Sequence, residues 1–405
     1  MPGRAALVSR ALLPVLLTVF LDLLGFGLVI PLLTFYAEQH DAGPQQVTML
    51  MACYSLAQLL MAPLWGSLSD RIGRRPVLLV SIGASAVFLA GFAAADQLWM
   101  LFLFRTLHGA CAANISTAQA AVADLTPPDK RAMGMGLIGA AFGVGFTLGP
   151  WVGGELSAFG YAVPIWLAAG LSAFNFVLAL VMLPETRGLQ ATGAAPHAER
   201  TLDPRRFLAV ARHPVVGLSV VLTFVITLAF AMMESTFTLF AAHIRGLDAP
   251  TVGRYFGAAG LVMILVQGGL IGRLVKRFGE GPLVPVGLLL LAVGLGLLPF
   301  ALPPVAMVST FVLIAIGQGL ASPSLQALVS KGTSADEQGF VLGANQSMSA
   351  LARVLGPMAG GLLFAELAPQ APFVAGAMVL TLAFLLSFVA VRQWRRGVQP
   401  AHTLG

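Results

Sequence analysis

The sequence has 405 residues, of which 58% are hydrophobic and 10% are charged. A soluble domain carries about 25% charged residues, so the composition excludes a water-soluble globular protein and predicts a lipid-embedded chain. The formal net charge of +6 does not indicate a nucleic-acid partner, because 19 of the 23 Lys and Arg residues lie in segments assigned to the cytoplasmic side. That asymmetry is the positive-inside bias of a membrane protein, and no basic patch interleaved with aromatic residues occurs.

Twelve apolar windows of about 20 residues predict twelve transmembrane helices. The first run, 11–36, is too long for the apolar region of a signal peptide and is read as a span. The spans are expected near residues 12–36, 46–66, 77–95, 98–123, 132–156, 161–183, 214–242, 250–271, 281–300, 304–330, 338–364 and 371–391.

One connection is long and polar, whereas the other loops are short. Residues 184–213 carry eight charged residues and three prolines, which is typical of a solvated cytoplasmic linker. The sequence therefore predicts an N-terminal six-helix bundle over 1–183 and a C-terminal one over 214–405. An even number of spans places both termini on the same side of the membrane, which the Lys and Arg asymmetry makes the cytoplasmic side.

The two halves repeat each other at a nearly constant offset. Residues 66–73 (GSLSDRIG) recur as 272–279 (GRLVKRFG), an offset of 272 − 66 = 206. Residues 148–154 (LGPWVGG) recur as 355–361 (LGPMAGG), an offset of 355 − 148 = 207. Two unrelated motifs at nearly equal offsets indicate parallel six-helix repeats related by an axis along the membrane normal.

The most specific string is residues 66–76 (GSLSDRIGRRP), directly after the second span. Gly66 and Gly73 are expected to allow a tight reversal of the chain. Asp70 lies among arginines, where a carboxylate can cap a helix N-terminus or form an ion pair. An arginine-rich loop that only orients the span would need neither the glycines nor Asp70.

This string is similar to the loop signature of the major facilitator superfamily. Residues 148–154 resemble the fifth-helix motif of its antiporters, and residues 105–109 resemble its fourth-helix arginine motif, with His108 where glutamine is usual. Residues 21–31 resemble the first helix of the twelve-span drug:proton antiporters, particularly the tetracycline-efflux branch. The resemblance implies an all-α fold with two six-helix repeats around a central cavity.

The resemblance also implies roles for the loop. Asp70 is expected to dock on the cytoplasmic end of the eleventh helix in the outward-facing state, and Arg74 to pair with Asp124 at the end of the fourth helix. Together with Gly66 and Gly73 these residues would form a conformational latch.

The fifth helix carries a ridge of small residues, for which close helix packing is a sufficient explanation. Its motif positions are Gly145, Gly149, Pro150, Gly153 and Gly154. A leak-tight hinge at this ridge follows from the resemblance alone.

Intramembrane charges are costly, at least about 2.5–3.5 kcal/mol each at mid-bilayer, and therefore indicate function. Asp22 lies about ten residues into the first span, roughly 15 Å deep, and Glu234 lies in the outer half of the seventh. These two acids are the predicted proton carriers, with Arg105 and Arg353 as their switchable partners. The alternative is that such charges form structural ion pairs or hydrogen bonds between helices.

Helical spacing places further polar and soft side chains on the faces expected to line the cavity. Hydrogen bonding between helices would explain many such positions equally well. The predicted substrate-cavity residues are Gln318, Gln326, Thr227, Met233, Gln119 and Gln346.

The favoured function is export of small amphipathic compounds driven by the proton gradient, and a symporter that imports a small nutrient is the alternative on the same fold. Neither a nucleotide-binding string nor a hydrolase motif occurs, which disfavours a primary pump or an intramembrane enzyme. Tetracycline pumps carry acids in the third and ninth helices, and this sequence has none there, so tetracycline is expected to be exported weakly or not at all.

The expected partners are protons, a small-molecule substrate and the lipid bilayer, with a monomeric chain and no nucleic acid. Cys53 and Cys111 both lie in apolar helices, and the six histidines show no ligand spacing. No cofactor and no metal are therefore expected.

Overall fold

The structure is a computed structural model that describes residues 2–112, 114–126, 131–186, 214–331, 333 and 338–397. These residues form helices joined by short turns and contain no β-strand. The helices are α1 (Pro2–Val29), α2 (Leu33–Glu38), α3 (Pro44–Ile72), α4 (Arg74–Ala93), α5 (Leu98–Cys111), α6 (Asn114–Leu125), α7 (Arg131–Leu156), α8 (Ala162–Met182), α9 (Pro214–Arg245), α10 (Ala249–Leu265), α11 (Ile271–Phe278), α12 (Leu283–Leu297), α13 (Pro304–Lys331), α14 (Gln338–Glu366) and α15 (Ala371–Gly397).

Among the described residues, twelve helical segments are long and apolar enough to cross a membrane, which confirms the predicted number of spans. Three spans are interrupted helices. A 3₁₀ turn (Ile30–Leu32) joins α1 to α2, and a π-helical turn (Val266–Leu270) joins α10 to α11. In the fourth span, α5 ends at Cys111 and α6 begins at Asn114.

Several helices extend beyond their predicted spans, and two of them extend into the repeated loop motifs. The helix α3 continues to Ile72 and α11 continues to Phe278, so most of each loop motif is helical. The prediction that Gly66 takes part in the chain reversal is therefore wrong, because Gly66 lies inside α3. The reversal occurs at Gly73, whose φ of 108° is strained for any residue with a Cβ atom.

The chain forms two compact units. The first contains residues 1–200 and 241–261, and the second contains 201–240 and 262–405. The last turn of α9 and most of α10 thus pack with the N-terminal half of the sequence. The division into bundles 1–183 and 214–405 stays a prediction, and residues 187–213 of the predicted linker lie outside the described residues.

Each unit has its own apolar interior. In the first, fully buried Val15, Val19, Leu78, Ile82 and Ala118 pack together from α1, α4 and α6. The second buries a valine cluster from α9, α13 and α14, and an edge-on contact between Phe237 and Phe311 with ring centroids 4.7 Å apart.

Close approach of helices at glycines occurs in both units. A Cβ atom on Gly149 of α7 would lie 2.6 Å from the Cα atom of Gly27 in α1. In the second unit, a Cβ atom on Gly356 of α14 would lie 2.8 Å from the Cβ atom of Ala231 in α9. These two glycines are the repeated positions of the LGP motif, so the repeat preserves a backbone contact that only small residues permit.

Candidate functional site

Arg74 is the first residue of α4 and lies at the centre of an ion-pair cluster in the first unit, in which Arg74 and Asp124 are buried and Asp70 is partly exposed. Its Nε atom donates a hydrogen bond to Oδ2 of Asp124, at 3.2 Å, and its Nη1 atom donates to the hydroxyl of Ser69, at 2.7 Å. Nη1 also forms a short ion pair with Asp70, four residues earlier. The structure thus brings together three of the predicted latch residues: Asp70, Arg74 and Asp124.

Glu185 belongs to the same cluster, although the sequence analysis did not single it out. Its carboxylate accepts hydrogen bonds from the backbone N–H groups of Arg74 and Arg75, at 3.0 and 3.2 Å. These are two of the unpaired N–H groups at the N-terminus of α4, where an anion is favourable. The signal available in the sequence was an acid placed directly after the sixth span.

The interruption of the fourth span lies deeper in the same unit. Three backbone carbonyls at the end of α5 are bonded by side chains instead of by helical N–H groups. Trp65 donates to the carbonyl of Ala110 at 2.6 Å, Gln58 donates to that of Ala112 at 3.4 Å, and Ser81 donates to that of Cys111. Because the freed carbonyls have dedicated partners, the interruption is a built feature of the fold.

Asp22 faces this interruption. The side-chain amide of Asn114, the first residue of α6, donates a hydrogen bond to Oδ1 of Asp22, at 2.6 Å. Asn114 is buried, and its own Oδ1 atom has no hydrogen-bond partner within the described part of the chain. A carboxylate inside an apolar bundle is thereby placed beside the N-terminus of a half-helix, the arrangement by which many transporters hold ions or substrate anions.

Arg105 lies on α5 within a group of aromatic rings and is only 2% exposed. Its guanidinium carbon is 4.5 Å from the ring centroid of Tyr54 and 5.8 Å from that of Phe26. The imidazole of His108 packs edge-on against the same Tyr54 ring, with centroids 5.2 Å apart. Stacking on aromatic faces stabilises the positive charge by a cation–π interaction.

The remaining candidates are spread over helices of the second unit and α6. Glu234 and Arg353 are half-buried in α9 and α14, and their predicted partnership stays a prediction. Met233 is fully buried, and the hydroxyl of Thr227 is bonded to the carbonyl of Thr223 at 2.8 Å. Among the other cavity candidates, Gln119 and Gln318 are half-buried, whereas Gln326 and Gln346 are exposed.

The glycines of the fifth-span motif form two close contacts. Gly145, Gly149 and Gly153 face α1, where a Cβ atom on Gly153 would lie 2.6 Å from the carbonyl oxygen of Leu28. Gly154 faces α10, where a Cβ atom would lie 2.9 Å from the carbonyl oxygen of Ala249. Within this motif, Pro150 lies inside α7.

The end of the first unit opposite to Arg74 carries an exposed ion pair and a contact between a histidine and an acid. Arg254 of α10 donates to both carboxylate oxygens of Glu155, at 2.7 and 3.1 Å. His243, in the last turn of α9, lies 2.7 Å from Glu38 at the end of α2, measured from Nε2 to Oε1. No group of three or more His, Cys, Asp or Glu residues that could hold a metal occurs among the residues described here.

The family model of the Major Facilitator Superfamily matches residues 15–357 and 268–403. The chain belongs to this superfamily. It is 31% identical over 361 residues to the class E tetracycline resistance protein of Escherichia coli, which covers 88% of both chains. It is 27% identical over 376 residues, 92% of both chains, to multidrug resistance protein 2 of Bacillus subtilis (strain 168).

Solved structures of superfamily transporters have the same fold. The crystal structure of a human organic anion transporter superposes with a TM-score of 0.72 at 27% identity, and the match covers 94% of this chain and 99% of that one. A nucleoside transporter superposes with a TM-score of 0.74 at 14% identity. The protein is therefore a multi-pass membrane transporter of small molecules, and its relatives place it in the tetracycline-efflux-like branch.

Proposed function

We propose that the protein is a proton-coupled antiporter that exports small amphipathic compounds, cationic or zwitterionic, by alternating access. The names of its relatives, which are tetracycline and multidrug resistance proteins, support export. Tetracycline itself is a poor substrate in this proposal, because the third and ninth spans lack acids.

The observation that carries proton coupling is the contact of Asp22 with Asn114 at the interruption of the fourth span. An apolar bundle favours the neutral acid, whereas the amide donor and the nearby helix N-terminus favour the carboxylate. A movement of α6 relative to α1 would change that balance and release or take up the proton. Asp22 is thus the first proton carrier, and Asn114 is the group that switches it.

Glu234 is the proposed second carrier, with Arg353 as its partner, and the role of Arg105 as the switchable partner of Asp22 stays a prediction. One charge that crosses 100 mV yields about 2.3 kcal/mol. At about 1.4 kcal/mol per tenfold change, this energy supports roughly a fiftyfold substrate gradient before any pH difference is added.

The Arg74 cluster is the proposed conformational latch. Asp70, Arg74 and Asp124 hold the start of α4 against the ends of α3 and α6, and breaking these contacts would bias the rocking equilibrium without touching substrate. Asp70→Asn is therefore expected to slow transport and leave substrate binding unchanged.

The proposed location is the bacterial inner membrane, with both termini and residues 184–213 in the cytoplasm. The asymmetry of Lys and Arg supports this orientation. A tag next to His40 is expected to be accessible from outside intact spheroplasts, and a tag within 184–213 is expected to be protected. The reverse pattern would falsify the orientation.

The decisive experiment uses purified protein in proteoliposomes with an imposed pH gradient and a panel of dyes and antibiotics. Asp22→Asn and Glu234→Gln are each expected to reduce proton-driven accumulation, and at least one should retain downhill exchange. Asp96→Asn, in an exposed loop, is the matched control and should behave as the wild type. If Asp22→Asn and Glu234→Gln both still concentrate substrate, neither acid is the proton carrier. Transport direction in inside-out vesicles, with and without an uncoupler, separates export from nutrient import.

A second candidate substrate class is organic anions. The buried guanidinium of Arg105 between Tyr54 and Phe26 favours an aromatic anion, and one superposable structure is named as an organic anion transporter. Anionic dyes in the same panel test this alternative. If the protein accumulates only anions, and Arg105→Gln abolishes that transport, organic anions and not cations are the substrate class.

A further inference from the structure

The internal repeat relates the loop that carries Arg74 to the loop that carries Glu280. At an offset of 206, Gly73 corresponds to Gly279, and both are left-handed, with φ of 108° and 77°. Each glycine ends a helix, and its N–H group bonds to the carbonyl four residues before it. The two loops therefore share a backbone conformation as well as a sequence pattern.

The charges at three corresponding positions are inverted, whereas Arg71 corresponds to Arg277 and keeps its sign. In the first unit Asp70, Arg74 and Asp124 have the signs minus, plus and minus. An offset of 206 takes 70 to 276 and 74 to 280, and an offset of 207 takes 124 to 331. The residues found there are Lys276, Glu280 and Lys331, with the signs plus, minus and plus.

The structure joins two of these inverted residues. Nζ of Lys331 forms a short ion pair with Oε1 of Glu280. Glu280 precedes α12, and Lys331 is the last residue of α13, so the pair connects the start of the ninth span to the end of the tenth. In the first unit, Arg74 and Asp124 connect the start of the third span to the end of the fourth in the same way.

Glu280 is the buried partner of this pair, and Lys331 is the exposed one. The side chain of Glu280 is 10% exposed and that of Lys331 is 57% exposed. Burial raises the pKa of the Glu280 carboxyl, but the hydrogen bond from Lys331, that from its own backbone N–H and the lysine charge outweigh it, so the pKa lies below its usual range. Glu280 is therefore ionised at neutral pH and keeps its attraction for Lys331.

The attraction within an ion pair depends on opposite signs and not on which partner is positive. An exchange of signs at both positions therefore preserves the connection between the two spans. The helices that the pair joins also approach closely, since a Cβ atom on Gly287 of α12 would lie 2.8 Å from the Cβ atom of Ala321 in α13. Because both repeats have an ion pair at corresponding positions of the same turn, we expect the two pairs to have the same role.

We propose that Glu280 is a positioning residue of the transport cycle, and that the Glu280–Lys331 pair is a second latch with inverted charges. This inference rests on the proposed function of the Arg74 cluster as a latch. Glu280 holds the start of α12 against the end of α13, so that this part of the second unit moves as one body when the transporter changes conformation.

The test compares Glu280→Gln, Lys331→Gln and the exchange Glu280→Lys with Lys331→Glu, which gives the second loop the polarity of the first. Arg273→Gln is the matched control, because Arg273 is exposed on α11, which leads into the same turn, and bonds to the carbonyl of Gly269. The measurements are the maximal rate and KM of ethidium efflux in proteoliposomes, the thermal unfolding midpoint in detergent, and amide hydrogen exchange at the two helix ends.

Each single variant is expected to lower the maximal rate by about tenfold with little change in KM, and the exchange variant to restore most of it. A pair that only stabilises the fold would lower the unfolding midpoint and leave the rate per folded molecule unchanged, which would overturn the proposal. So would an exchange variant no faster than the single variants.

If the wild type exports no ethidium, the proposed function has failed for this substrate class, and hydrogen exchange still decides the connection. Faster exchange at the ends of both α12 and α13 in Glu280→Gln, reversed in the exchange variant, supports the second latch. Unchanged exchange in every variant overturns it.

Discussion

The two ends of the first unit both carry ion pairs, but in different surroundings. At the end that contains Arg74, the side chains of Arg74 and Asp124 are 8% and 7% exposed. At the opposite end, those of Arg254 and Glu155 are 60% and 44% exposed. Removal of one partner from a buried pair leaves an uncompensated charge, whereas exposed pairs contribute little to stability. Burial, more than the presence of an ion pair, therefore determines which contacts stabilise the packing of the helices.

The largest effect is expected from Arg74→Gln. The substitution leaves Asp124 buried without its cation and leaves Asp70 without its i, i+4 partner. Loss of one member of a buried pair costs about 3–5 kcal/mol, so the thermal unfolding midpoint in detergent should fall clearly. Arg74→Lys, which keeps the charge but lacks the fork of donors, should cost less. An unfolding midpoint within error of the wild type for Arg74→Gln would contradict the comparison.

A smaller loss of stability is expected from alanine substitutions at two glycines with positive φ, one at each end of the unit. Gly73 and Gly160 both have positive φ, 108° and 122°, and lie at opposite ends of the unit. A Cβ atom on Gly73 would overlap the carboxylate of Glu185, whereas the nearest atom to one on Gly160 is a methyl group of Val163 at 3.8 Å. Both alanine variants strain the backbone, by about 1–2 kcal/mol.

Only Gly73→Ala additionally displaces Glu185 from the N-terminus of α4. It should therefore lower the unfolding midpoint more than Gly160→Ala does, and only Gly73→Ala should speed amide exchange at Arg74 and Arg75. Equal losses of stability, with no local change in exchange, would mean that Glu185 does not hold this helix end.

The sequence was sufficient to predict the spans, and the reasons are physical. Lipid requires about 20 apolar residues per crossing, so the twelve spans were visible in composition alone. The pairing of Arg74 with Asp124 was expected from family resemblance, and the structure places the two side chains in contact.

The interruption at Ala112 was not predicted because Ala110, Cys111 and Ala112 continue the apolar helical pattern of the span. Its freed carbonyls are bonded by Trp65, Ser81 and Gln58, which come from other helices. Glu185 escaped notice for a similar reason, since its partners are backbone N–H groups 110 and 111 residues away. Contacts made across helices to the backbone leave no periodic signal in one sequence.

A contact between a histidine and an acid links two helices at the end opposite to Arg74. Nε2 of His243 lies 2.7 Å from Oε1 of Glu38, and the contact connects the end of α9 to the end of α2. Because both side chains are partly exposed, His243→Gln should lower the unfolding midpoint only slightly. Amide exchange at Gln39 and Arg245 should become faster in this variant.

Arg254→Gln is the matched control, because it removes a charge at the same end of the unit and its ion pair is with Glu155. Amide exchange at Gln39 and Arg245 should stay that of the wild type in this control. Unchanged exchange in His243→Gln would show that the contact with Glu38 does not hold the two helix ends.

The smallest effect is expected from Arg254→Gln and Glu155→Gln. Two hydrogen bonds of 2.7 and 3.1 Å give this pair good geometry, but both side chains are largely in water, where solvent and salt screen the attraction. Each variant should unfold within error of the wild type, at low and at high salt. Close packing holds α7 against α10 instead, because a Cβ atom on Gly253 would overlap the carbonyl oxygen of Pro150. Gly253→Ala should therefore lower the unfolding midpoint far more than either charge removal. If Arg254→Gln proved the more damaging change, the exposed pair would be the main link between these helices, and burial would not be what separates the two ends of the unit.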